Sequence, residues 1–201
     1  MGAERAPETP AERARVLQEH LCERAASLLL PPEPRSLHRE LQAHLLRACD
    51  ENLLAMKPQD IFARLKLSDS PLGPRPEYTG IYGGEKDLKR TGEMPHFLRR
   101  DGAWFTFTIT VRSRRAKPLE LSAYDFELCF PERREVDARL PRFVRFDLNP
   151  PEHDNQIKGL RCHMHPGHDD LIAPAPLMSP LEILDLFLNS ELALPERVRK
   201  A

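Results

Sequence analysis

From residue 104 onward, apolar and polar side chains alternate in a pattern that few folds can satisfy. In 104–111, Phe105, Phe107, Ile109 and Val111 share one parity, and Trp104, Thr106, Thr108 and Thr110 share the other. In 119–130, Tyr124, Phe126, Leu128 and Phe130 alternate with Ala123, Asp125, Glu127 and Cys129. Successive side chains of a strand point to opposite faces, so each segment reads as a strand with one buried and one polar face. Two further segments, 142–148 and 158–165, continue the pattern. The connections at 112–118 and 131–141 are polar and charged, as hairpin loops of an antiparallel meander would be. A four- or five-stranded antiparallel sheet is expected.

Helical signals flank this sheet. Thr9-Pro10-Ala11-Glu12 is a capping box with proline at the first helical position, opening a helix over about 10–30. Ser36 can cap a second helix over 37–56, and Pro58 can open a short third containing Ile61, Phe62 and Leu65. Their apolar stripes can cover the sheet or form a partner-binding face. Ser179-Pro180-Leu181-Glu182 is a second capping box, and the helix to about 189 should pack on the sheet. The fold class is therefore α+β. Residues 1–67 form a helical part, and 101–201 form the sheet domain with its C-terminal helix. Between them, 68–100 holds four prolines and five glycines and reads as a long connector or a wrap around the sheet. Tyr78, Tyr82, Lys86, Lys89, Arg90 and His96 in this segment can lean over a substrate.

A net charge of −1 over 201 residues gives no overall basic field of the kind that advertises nucleic-acid binding. Cys22, Cys49, Cys129 and Cys162 show no CxxC pair, which argues against a disulfide framework or a zinc finger. No segment reaches the ~18 apolar residues of a membrane span, and no apolar leader is evident. A soluble cytoplasmic protein without a membrane partner is expected. The abundance of Ala, Arg, Leu and Pro suggests a bacterium with a GC-rich genome.

Chemistry concentrates in residues 143–170, which hold four of the eight histidines: His153, His163, His165 and His168. Strand alternation puts Arg145 and Asp147 on one face of the first segment, and Arg161, His163 and His165 on one face of the second. Asp125 and Glu127 can join them from the neighbouring strand, some simply as cross-strand ion pairs with Arg145. Three readings compete. In a metal-independent nuclease, His163 and His165 are acid and base, Arg145 or Arg161 steadies the phosphate, and Asp147 completes the catalytic set. Arg161, His153 and Asp125 are then the substrate-binding candidates. In a metal enzyme, His163 and His165 bind a divalent ion with Asp147, His153, His168 or Asp169; no other cofactor is called for. In the third reading the face binds a protein or small ligand and breaks no bond.

The same stretch resembles the TumE-type toxins of bacterial TumE–TumA toxin–antitoxin systems. The matching residues are Phe146-Asp147, His163-Met164-His165, Asp169-Asp170, and a Ser179-initiated helix with Glu182, Leu184 and Leu188. The resemblance covers about residues 119–190. The connection from Asp147 to His163 is longer and proline-rich here, the glycine-rich segment is reduced to Gly159, and the first hundred residues have no counterpart. The resemblance implies a toxin-like or defence-associated hydrolase acting on RNA, with a protein antitoxin as partner.

Overall fold

The structure, a computed structural model, describes residues 9–69, 77–115, 118–130 and 142–188. The tail at 1–8, the charged connection at 131–141 and the chain end after 188 lie outside the described residues. Helix α1 (Pro10–Ser27) starts at the expected box: the Glu12 amide donates to Thr9 Oγ1 at 3.1 Å, and the Thr9 amide donates to Glu12 at 2.8 Å. Helix α2 (Pro34–Asp50) begins before Ser36, because a proline at the first position forfeits no helical hydrogen bond. It ends earlier than expected, at Asp50, and Asn52 just beyond it, with φ of 62°, reverses the chain. Helix α3 (Pro58–Arg64) runs directly into a strand.

The strands are β1 (Leu65–Asp69), β2 (Tyr78–Gly83), β3 (Phe97–Leu98), β4 (Trp104–Arg112), β5 (Glu120–Cys129), β6 (Phe143–Leu148), β7 (Cys162–Pro166) and β8 (Ala173–Pro174). They form one eight-stranded antiparallel sheet in the order β1-β2-β4-β5-β6-β7-β8, with β3 also paired to β4. The class is α+β as expected, but four or five strands is too few. The segment read as a connector supplies β2 and β3 and shares β1 with the end of α3. Two of the six β2 residues are glycines, which erases the alternation that marks a strand. Gly83 is required there: a Cβ would lie 2.3 Å from the ring of Phe107, its cross-strand partner.

The last expected strand is also shorter. Residues Asp154–Ile157 form a helical turn, α4, and β7 starts only at Cys162. Gly159, with φ of 69°, permits the reversal, and its missing Cβ lets the Ala14 backbone of α1 approach.

One sheet face is apolar and fully covered. Phe105, Phe107 and Ile109 of β4, Phe126 and Leu128 of β5, and Phe146 and Leu148 of β6 are buried there. Helix α5 (Pro180–Leu188), opened by the Ser179–Glu182 box, places Phe187 across them. Its ring centroid lies 5.8 Å from Phe105, 6.2 Å from Phe126 and 6.1 Å from Phe146. The stripe Leu37, Leu41, Leu45 and Ala48 of α2 enters the same core, so this stripe covers the sheet. Buried Arg99 donates to the Phe187 carbonyl and pairs with Asp101 at 2.7 Å, satisfying the end of α5. No helix among the described residues is long and apolar enough to cross a membrane.

Because Phe187 is fully buried at the centre of this aromatic layer, Phe187→Ala should cost about 3–5 kcal/mol of stability in denaturant unfolding. A loss under about 1 kcal/mol would mean that α5 does not hold the sheet.

Candidate functional site

The opposite sheet face carries the polar residues, and strand register decides which of them meet. Across β5 and β6, Glu127 faces Arg145 and Asp125 faces Asp147. Across β6 and β7, Arg145 faces His165 and Asp147 faces His163. Directly opposed residues hold their side chains within contact distance on the same face. Arg145, Asp147, His163 and His165 are thus brought together.

Three donor atoms converge. His163 Nε2 and His165 Nε2 are 3.1 Å apart, and Asp147 Oδ2 lies 3.5 and 3.2 Å from them respectively. An ion held at ~2.1 Å by three such donors would space them by roughly 3.0–3.4 Å, so the set has the dimensions of a metal-ligand triad. All three residues are buried. His163 Nδ1 donates to the Leu160 carbonyl at 2.9 Å, which leaves the Nε2 lone pair of the neutral ring directed at the cluster. Two rings can be held nose to nose at this distance by a shared proton or by a shared cation. Burial lowers both imidazole pKa values, His165 beside His163 adding to it in one case and Arg145 in the other, so both rings favour the neutral, ligating form. Burial and the neighbouring Asp125 raise the Asp147 carboxyl above the usual carboxylate range, against the pull of Arg145. His165 Nδ1 is buried without a hydrogen-bond partner, although the backbone of Asp169 and His168 lies beside the ring.

Arginines surround the triad. Arg145 Nε donates to Asp147 Oδ2 at 2.9 Å, while its Nη1 lies 2.7 Å from Asp169 and 3.5 Å from Glu127. Arg90 comes from the segment between β2 and β3. It makes a two-pronged contact with Glu127 at 3.1 and 2.9 Å, and its guanidinium stacks 3.6 Å from the Phe143 ring. The backbone that delivers Arg90 is shaped by buried Asp87, which accepts from the amides of Lys89, Thr91 and Gly92 at 3.0, 2.8 and 2.9 Å. Burial pushes the Asp87 carboxyl up, but these bonds hold it below its ordinary value. Lys86 pairs with Asp125. Beside these groups opens a pocket of 460 Å³, walled by Thr108 and Thr110 of β4 and by Leu88.

Other candidates fall elsewhere. The Arg161 guanidinium is engaged by the backbone carbonyls of Asn149 at 2.9 Å and Ser122 at 3.1 Å, because β7 has not yet begun at that residue. His153 is an exposed cap of α4, accepting from the Asn155 amide at 3.2 Å. His168 is exposed and accepts from the Asp170 amide, so Asp147 replaces it in the donor set. Asp169 lies on the arginines. Arg90 and Lys86 do lean over the face, but their parts could not be singled out among the cations of the segment. The local sign was Asp87-x-x-x-Thr91-Gly92, a turn held by an aspartate.

The two arginines lower the Asp169 carboxyl to about 2, from an ordinary 3.8, with Arg90 contributing most. A depressed carboxyl stabilises the fold above the unfolded value, and that contribution is lost as pH falls toward the folded one. Unfolding followed from pH 4 down to 2 should therefore decline less steeply for Asp169→Asn than for the native chain, and matching slopes would show that the arginines do not hold this carboxylate in solution. Comparison with protein-family models, with curated proteins and with solved structures finds no match, so the site is read from its own geometry.

Proposed function

We propose that the protein is a metal-dependent hydrolase, with Asp147, His163 and His165 as metal ligands and a phosphodiester bond of RNA as the target. The observation that carries the reading is the convergence of three buried donor atoms, all within 4.8 Å of one another. Neutral imidazoles and a carboxylate suit zinc, manganese or iron. Held by these three residues, such an ion would supply Lewis acidity and a more acidic bound water for hydrolysis. Arg145, which touches Asp147, would orient that carboxylate and neutralise charge growing on the phosphate oxygens.

Charge balance supports the same reading. Asp125, Glu127, Asp147 and Asp169 face Lys86, Arg90 and Arg145, leaving one negative charge in excess around neutral histidines. A cation offsets that excess where water is scarce. Metal-independent chemistry needs the two imidazoles on opposite sides of a scissile phosphate. Ring nitrogens that meet at 3.1 Å beside Asp147 favour the shared ion. RNA as substrate, and an antitoxin as partner, come from the TumE-like pattern of residues 119–190.

In calorimetric titration of chelator-treated protein, one equivalent of zinc or manganese should bind. His163→Ala and Asp147→Ala should each weaken binding by more than the roughly 10–100-fold cost of losing an outer partner. RNA cleavage should follow metal occupancy. Undiminished cleavage in EDTA, abolished by His163→Ala, would return the site to histidine acid–base catalysis. Absence of both metal binding and cleavage would leave the face as a binding surface.

A further inference from the structure

Arg90 and Arg145 are far apart in sequence, yet both guanidinium groups close on the same two carboxylates. The inner one, Glu127, has a side chain only 4% exposed and is fixed in β5. The outer one, Asp169, is 54% exposed and follows Gly167, whose φ of 90° turns the chain after β7. Arg90 Nη1 and Nη2 donate to the two Asp169 oxygens at 3.0 and 2.8 Å, and Arg145 Nη1 donates to one of them at 2.7 Å. The arginines are oriented from below by a carboxylate that solvent cannot reach, and from above by one that solvent can replace.

We infer that Arg90 and Arg145 form an oxyanion site in which Asp169 is a resident stand-in, displaced by a phosphate group of the substrate; its link to bond cleavage rests on the hydrolase reading. A phosphate carries more oxygens than a carboxylate and at least its charge. It can accept the fork of Arg90 and the single donor of Arg145 together. The exchange leaves the Glu127 scaffold untouched and requires only the exposed Asp169 side chain to swing away. It also delivers the phosphate to the triad, because the guanidinium that would hold it contacts Asp147 at 2.9 Å. The adjoining pocket of 460 Å³ accommodates a nucleotide-sized group.

A resident group that must leave weakens the apparent affinity for the incoming ligand by the fraction of time the site is free. Inorganic phosphate, titrated calorimetrically into chelator-treated full-length protein, should therefore bind Asp169→Asn at least about tenfold more tightly than the native chain. Arg90→Gln in the Asp169→Asn background should remove the gain. Should that variant fail to fold, Arg90→Lys keeps a charge for Glu127 but lacks the fork, and should also remove most of it. Adenosine 5′-monophosphate and a diadenosine dinucleotide, run in parallel, distinguish a terminal phosphate from an internal diester as the group taken. Equal phosphate affinity in native and Asp169→Asn protein, or a gain that survives both Arg90 changes, overturns the inference. Neither metal nor turnover enters the measurement, so its outcome is separable: tighter phosphate binding without RNA cleavage keeps the anion site and discards the hydrolase, and cleavage with unaltered phosphate affinity does the reverse.

Discussion

A buried carboxylate, Glu127, sets the terms for the polar side of the sheet. Such a group costs several kcal/mol if left unpaired, so the fold must bring cations to it. Arg145 reaches it from the adjacent strand, as cross-strand register dictates. Arg90 must come from a different part of the chain, and the Asp87-centred turn together with the Phe143 ring brings it there. Once Arg145 is fixed, so is the Asp147 carboxylate that it contacts, and with Asp147 the point on which His163 and His165 converge. Placement runs from Glu127 through one guanidinium to the imidazoles.

This explains why the face differs from an ordinary solvated sheet surface. Alternating charges on an exposed strand usually form loose cross-strand pairs worth little. Here the segment between β2 and β3 lies over part of the face, Trp104, Cys129 and Phe143 pack into a small apolar cluster beside it, and the ionic groups lose water. Low hydration magnifies each charge difference. The histidines respond by staying neutral, and Asp147 by holding its proton more tightly, which are the responses expected where charge is short of solvent and partners.

Much of the architecture was legible because period-2 alternation and capping boxes are local signals. Phe105 to Val111, Tyr124 to Leu128, Thr9–Glu12 and Ser179–Glu182 each declare their element within a few residues. Alternation also assigned Arg145, Asp147, His163 and His165 to one face before any pairing was known. What escaped has two physical sources. Strands β3 and β8 have only two residues each and β2 carries two glycines, so their identity comes from neighbours in the sheet and hardly from their own side chains. Arg90, Asp169 and the exclusion of His168 depend on how turns fold back over the face. That is a long-range outcome which residue spacing does not encode, and Arg161 misled for the same reason.

Arg161 has a consequence of its own. Its backbone carbonyl accepts from the Asn149 amide at 2.8 Å, and its guanidinium returns to the Asn149 carbonyl at 2.9 Å. The eleven residues between are closed off at their base like a loop in a drawn knot. A slip of one residue between β6 and β7 would send both imidazoles into the apolar layer, since the parity of a strand is absolute. With the register locked at 149 and 161, residues 150–158 of the connection can vary without moving the histidines, whereas Gly159 packs on α1 and the Leu160 carbonyl holds His163. Changes in that stretch are thereby decoupled from the geometry of the site, and the part of the connection that follows Pro150 and Pro151 is where this chain can carry new contacts at little risk to its chemistry.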